Sequence, residues 1–379
     1  MPFLLKGPMW GVDNGPMAAY PLVCPETKQP LTEMTEAEAE AVIGPLVARV
    51  GGERPAVGPT PTVLVRDDGA CAYPVVDGVP VLLVPEQLRS AAAGPVAVDV
   101  TAPPYAEAYE EMDAYTAAAD DSSAALEKSS LLTRLLRIQA LPERRRLAFP
   151  EPGALWVDAT YETAAQLDAY RHLAPVAGHR VLQLGGKGHH AVTLLLAGAA
   201  EAWVISPMVS ELMHARVLAR RLGVESRLRC AAGLAEELPL ADGSLDAIYT
   251  VSTHHTVTSL SYPECARVLV PGGRFAAVEP WRAPLYRIGT TVLGKRDPQV
   301  HCKPMTHERV APLATAFSAS SVRHHGTLLR YPMLALWKMG VDWKVETTYK
   351  VAKVDDALAS AVGLRRAGSC AALLARRAG

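Results

Sequence analysis

Between Arg180 and Pro207 the chain runs through a short apolar stretch (Arg180 to Leu184), a turn carrying Gly185, Gly186 and Gly188, a nearly all-apolar segment from Ala191 to Ala200, and a second apolar stretch ending at Ser206-Pro207. That pattern predicts strand, turn, helix, strand: half of a nucleotide-binding α/β unit. Glycines let the turn bend sharply, and the helix start beyond it favours negative groups. Ser206 followed by a proline predicts a helix N-cap, with Gly223 as the stop after Met208 to Leu222. Upstream, residues 20–88 alternate turns with short β-rich runs and predict a small β-rich module. Residues 89–100, rich in Ala, Gly, Pro and Val, read as a linker. From 101 to 175 the spacing is helical: Tyr105, Tyr109 and Met112 fall one turn apart, and Leu131, Leu132, Leu135 and Leu136 form another stripe. These helices are expected to cap the next domain, the tyrosines serving as core or, alternatively, lining a pocket. Arg144, Arg145 and Arg146 read as a solvated helix end.

With 379 residues, 49% of them hydrophobic and 20% charged, the chain can bury large cores in two or three domains. Lys+Arg 38 against Asp+Glu 39 leaves a net charge of -1, which gives no general attraction to nucleic acid or anionic membranes. A small-molecule partner is therefore expected, nucleic acid and membrane are not, and the oligomeric state stays open. The amino terminus lacks a basic leader with a long apolar core and no stretch reaches the length of a membrane span, so a cytoplasmic location is expected. Cys24, Cys71, Cys230, Cys265, Cys302 and Cys370 show no paired spacing and read as reduced thiols.

Two resemblances sharpen the picture. Tyr73-Pro74, Asp77-Gly78 and Pro80 before Val81, Leu82 and Leu83 resemble the signature of the small zinc-ribbon family that includes the tRNA-methyltransferase activator subunit, over residues 1–100. Where that family carries two Cys-x-x-Cys pairs, this chain has Cys24 with Thr27, then Arg66 with Gly69, and Cys71 is displaced by two residues. Tetrahedral zinc needs four ligands, so a zinc-ribbon-like module without a complete zinc site is expected. Further on come Glu237-Leu238-Pro239, the run Asp242 to Asp246, the pair His254-His255, and Ala266-Arg267-Val268-Leu269 leading into Pro271-Gly272-Gly273. Together these resemble the class I S-adenosylmethionine-dependent methyltransferases. The resemblance implies an α/β, Rossmann-like, mostly parallel sheet of seven strands over residues 176–379. Its last two strands, an antiparallel pair at one edge, would start near Val322 and Ser369, with a helical insertion at about 331–361 between them.

In such a sheet the ligand lies beyond the carboxyl ends of the strands, here at the loops after Leu184, Ile205, Cys230, Val251 and Glu279. The family places an acid at the ends of the first and second strands and after the third. This chain has Gln183, Val204 and Leu234 there, and Lys187 and His189 stand where the second and third glycines are expected. One account keeps S-adenosylmethionine, held by Gln183, Gly185, Gly186, Gly188, Ser206, Met208, Leu234, Ala235 and Thr250, with methyl transfer to a small molecule. His254, His255 and Glu279 are then the candidate catalytic groups, and the long loop after the fifth strand offers Trp281, Arg282, Tyr286 and His301 to the substrate. The alternatives are another reaction on the same scaffold, with iron or zinc on His189, His254 and His301, or a non-catalytic binding partner. Adjacent histidines in a helix or strand point apart, so each pair offers one ligand at best and metal is not the first expectation.

Overall fold

Alternating residues early in the chain build an antiparallel sheet from β1 (Leu31–Thr35), β2 (Leu46–Ala48), β3 (Thr62–Arg66), β4 (Ala72–Val76), β5 (Val79–Pro80) and β6 (Leu88–Ser90). Its order is β1-β3-β4-β6-β2, with β5 on β4. The computed structural model describes residues 22–48, 62–93, 98–102, 104–106, 108–109, 112, 130–158, 162–251, 261–284, 304–341 and 343–379. Asp77 and Gly78, with φ of 50° and 72°, close the β4–β5 hairpin through the mirror-image turn that suits the twist of the strands. Helix α1 (Glu36–Ile43) starts at Thr35, whose hydroxyl accepts from the Glu38 amide while the Glu38 carboxylate accepts from the Thr35 amide. The expected linker begins later than its composition suggested, because Ser90 still pairs with Leu46.

The second sheet comprises β7 (Arg180–Leu184), β8 (Glu201–Ser206), β9 (Leu228–Ala232), β10 (Leu245–Val251), β11 (Leu269–Pro280), β12 (Ala319–His325) and β13 (Cys370–Arg376), in the order β12-β13-β11-β10-β7-β8-β9. Pairings from β11 through β9 are parallel, and β13 runs antiparallel to both β11 and β12. The helices around it are α2 (Ser130–Gln139), α3 (Thr163–Leu173), α4 (His189–Leu196), α5 (Val209–Arg221), α6 (Ser261–Val268), α7 (Arg330–Lys338) and α8 (Val345–Ala361). Strand order reverses between β7 and β10, which makes the loop after β7 the place where a crevice opens. Side chains alternate across the sheet. Val181, Val204 and Tyr249 enter the core shared with α4 and α5, while Leu182, Trp203, Ile205 and Phe275 enter the other.

The amino-terminal sheet docks on the β9 edge. Val81 pairs in parallel with Ala232, the Leu82 amide donates to the Ala232 carbonyl at 2.8 Å, and Arg216 of α5 donates to the Asp77 carbonyl at 2.6 Å. Leu83 and Val84 join one core and Leu22, Tyr73 and Leu82 the other. No described helix is long and apolar enough to cross a membrane.

At the opposite edge, buried His325 binds three elements together. Its Nδ1 lies 2.8 Å from the Asp356 carboxylate of α8 and its Nε2 3.3 Å from Asp168 of α3, the latter close but out of line for a hydrogen bond. Burial works against the imidazolium, yet the two carboxylates outweigh it and the group is pushed up to about 9. A folded-state value above the unfolded one means stability that is whole below about pH 6.5 and is lost as pH rises through 9. Urea unfolding near pH 6 and pH 9.5 is expected to show this loss in the native protein, and His325→Gln is expected to flatten that part of the profile. Equal slopes in both would contradict the assignment.

Candidate functional site

The bend after β7 is held from below by Gln183. Its Nε2 donates to the Gly185 carbonyl at 2.8 Å and its Oε1 accepts from the Ala191 amide at 2.8 Å, so both ends of the amide are engaged inside the loop. The Gly185 amide donates to the Ile205 carbonyl at 2.7 Å, joining the bend to β8. Gly185, Gly186 and Gly188 have φ of 69°, 71° and 75°, the left-handed region that glycine enters at least cost. A Cβ on Gly188 would stand 2.3 Å from Ala215 Cβ, so the turn rests directly on α5.

His189, in the position expected for a third glycine, does not block the bend. It turns toward Asp158, Nε2 to Oδ2 3.5 Å, while Lys187 is exposed. His190 lies beside it, ring centroids 3.9 Å apart, and its Nδ1 meets the Tyr170 hydroxyl at 2.7 Å. At a helix start, therefore, the adjacent histidines converge where divergence was expected: Asp158, His189 and His190 offer ligand atoms within 4.8 Å of one another. Of the alternative metal set, only His189 lies among the described residues. Asp158 is already ion-paired to Arg134 and accepts from Gln166 Nε2 at 2.9 Å. Burial alone would raise its acid, but Arg134 and the histidines hold it well below the ordinary range. His190 is pushed far down by burial and by the charge of His189. With Arg134 present and the positive end of α4 adjacent, this pocket favours a hydrogen-bonded network or an anion over an added cation.

On the other side of the bend stands a carboxylate that the sequence reading passed over. Glu211, in the first turn of α5, accepts from the Ser206 hydroxyl at 2.9 Å. Burial lifts its acid above the usual range, although Ser206, Lys187 and the Gly186 amide each favour the charged form. Ser206 is thus not the expected N-cap. Met208 takes that place, and the Ser206 hydroxyl accepts from the Met208 amide at 3.2 Å while donating to Glu211. Val204, Met208, Leu234, Ala235 and Thr250 are all buried, Thr250 on β10 across β7 from Val204 and paired to Leu184.

The other candidates scatter. Glu279 is fully buried at the end of β11, and Arg282 is exposed. Trp281 is buried, its ring edge to face with His307 at 5.0 Å and with His324 at 4.5 Å, at the far edge of the sheet. His254, His255, Tyr286 and His301 lie outside the described residues. In the amino-terminal sheet, the displaced Cys71 proves to be a neighbour of Cys24 after all. Its hydrogen bond is the main reason that Cys24 is lowered to about 4, burial opposing, with Thr27 and Tyr73 adding to the effect. The Tyr73 hydroxyl lies 3.2 Å and an Arg66 nitrogen 4.0 Å from that sulfur. Arg66, at a position expected for a ligand, thus brings a positive charge to the Cys24 sulfur. Neither cysteine belongs to a group of three metal-ligating side chains among the described residues.

A mostly parallel sheet with its switch point at a glycine bend, a helix N-terminus above it and a half-buried acid beside it is the arrangement of a Rossmann-like nucleotide-binding domain. Residues 182–277 match the family model described as a methyltransferase domain. An uncharacterized methyltransferase of Mycobacterium tuberculosis is 35% identical over 123 residues, 32% of this chain and 47% of its own length. The malonyl-acyl-carrier-protein O-methyltransferase of Methylococcus capsulatus is 36% identical over 112 residues, 29% of this chain and 40% of its own. The chain thus spans less than half the length of these relatives. Among solved structures, the YcgJ protein of Bacillus subtilis aligns over 57% of this chain and 98% of its own with a TM-score of 0.40 and 20% identity, too distant to carry an argument.

Proposed function

We propose that the chain transfers a methyl group from S-adenosylmethionine to a small-molecule acceptor. The observation that carries this reading is the Glu211 carboxylate at the glycine bend, beside buried Ser206 and the left-handed glycines. The donor set fits the cofactor: one carboxylate can accept from both hydroxyls of a ribose, replacing the acid missing at Val204. Met208 and Leu234 give apolar surface for the base. The His189 and His190 amides, which the start of α4 leaves without intrahelical partners, and the His189 side chain would hold the carboxylate of the amino-acid part. Gln183 fixes the bend rather than touching the ligand. When bound, S-adenosylmethionine supplies an electrophilic methyl on a positively charged sulfur. Catalysis then rests on positioning, with His254 or His255 after β10 taking the acceptor's proton.

Small molecules released from the purified chain by denaturation, read by mass spectrometry after incubation with S-adenosylmethionine and removal of excess, test this. The expected result is S-adenosylmethionine or its demethylated product in near-stoichiometric amount. Neither compound above the level carried by an unrelated protein would contradict it.

A further inference from the structure

The far edge of the sheet holds a cleft of 470 Å³ lined by His307, Val322, Arg323, His324, Arg365 and Arg366. It belongs to the same carboxyl edge as the glycine bend. His325 and Pro280 both pair with Cys370, from opposite sides, so the end of β12 lies in one row with the end of β11. Four strand spacings separate β12 from β7, about 19 Å at 4.8 Å each. The cleft is therefore too far away to be part of the cofactor site, yet within reach of an extended acceptor whose reacting atom sits above β10.

Its charge is one-sided. Arg323 has Asp168 at 3.3 Å, whereas Arg365 and Arg366, both exposed, have no carboxylate partner among the described residues. His324 is pushed down to about 4 by burial and by the positive charges of His307, His325 and Arg366, so near neutrality it is an uncharged imidazole. Its Nδ1 is buried and meets no hydrogen-bond partner among the described residues. Two unpaired guanidinium forks above the His324 ring match an anion with several acceptor oxygens. A phosphate ester, with nearly two charges at neutral pH, suits this set better than a single carboxylate.

We propose that this cleft binds the phosphate group of a phosphorylated small-molecule acceptor, holding it by Arg365, Arg366 and His324 while the rest of the acceptor runs along the strand ends toward the glycine bend. The phosphate site stands on the cleft alone, and its link to an acceptor rests on the methyl-transfer reading above.

Isothermal titration of the intact protein with inorganic phosphate, glycerol phosphate and acetate, at constant ionic strength set with chloride, tests it. Glycerol phosphate is expected to bind at least as tightly as inorganic phosphate, and acetate about tenfold more weakly or worse. The double variant Arg365→Gln/Arg366→Gln, altered only at exposed positions, is expected to weaken both phosphates about tenfold or more while leaving S-adenosylmethionine affinity unchanged. His324→Gln is expected to weaken them less. Phosphate affinity untouched by the double variant, or acetate binding as tightly as phosphate, would overturn the site. Binding of the inorganic ion without the ester would overturn the acceptor assignment. S-adenosylmethionine is titrated in parallel: no donor binding with phosphate binding intact removes the methyl-transfer reading alone, and the reverse removes the cleft alone.

Discussion

Gly188→Ala is expected to destabilise the fold by about 3 kcal/mol and to abolish donor binding. Two costs add. A φ of 75° costs a side-chain-bearing residue roughly 1–2 kcal/mol, and a new methyl 2.3 Å from Ala215 Cβ and 3.1 Å from its Cα forces the bend off α5, an overpacking penalty of about 1–3 kcal/mol. Urea unfolding measures the sum. The double variant Gly188→Ala/Ala215→Gly separates the parts, since it removes the close contact and leaves the backbone strain. Partial recovery of stability is expected, offset by the cost of a glycine inside a helix, about 1 kcal/mol. Measured against Ala215→Gly alone, a Gly188→Ala cost no smaller than in the native background would mean that the bend does not rest on α5.

Glu211→Gln is expected to weaken S-adenosylmethionine binding about 10- to 100-fold, the range for losing hydrogen bonds to a charged acceptor. It should leave the fold intact, because the amide still accepts from the Ser206 hydroxyl, and burial disfavours the charge it removes. Ser206→Ala, which only aims the carboxylate, is expected to cost less. The raised acid adds a pH signature. The carboxylate is the acceptor, so affinity holds at neutral pH and falls on acidification at a pH above that where an ordinary glutamate titrates, while Glu211→Gln shows no such fall. Equal affinities in native protein and variant would remove Glu211 from the donor site.

Much of this architecture is legible in local pattern. The strand, glycine turn and helix from Arg180 onward are set by apolar spacing and by glycines that must adopt positive φ, both properties of contiguous residues. Gly223, at φ 62°, ends α5 where its position suggested. The acids of the site are another matter. Gln183, Val204 and Leu234 show that the usual carboxylates are gone, but not that two others approach the bend from elsewhere. Glu211 looks in sequence like any acid in the first turn of a helix, where the dipole alone accounts for it. Its role appears only when α5 packs under Gly188. Asp158 lies 31 positions before His189 and reaches it through the packing of α3 on the sheet. The apolar run Leu155-Trp156-Val157 just before Asp158 was the available signal, an acid carried into a core and hence in need of partners.

The same reasoning accounts for two placements that spacing alone does not reach. Cys71 falls two residues past the expected ligand position, yet the fold of β3 onto β4 sets it beside Cys24, with Arg66 supplying positive charge at the sulfur. Trp281 reads as a substrate contact because it follows the fifth strand. Its ring meets both His307 and His324 edge to face, side chains that sequence distance keeps apart and the antiparallel edge brings together.

The central claim, that the bend between Gln183 and α4 holds S-adenosylmethionine with Glu211 as its ribose acceptor, is tested most directly by isothermal titration of the intact chain with that cofactor. A single site of micromolar affinity in the native protein, weakened at least tenfold by Glu211→Gln, is the result the geometry predicts. No heat at millimolar cofactor, from protein shown by its unfolding transition to be folded, would contradict it.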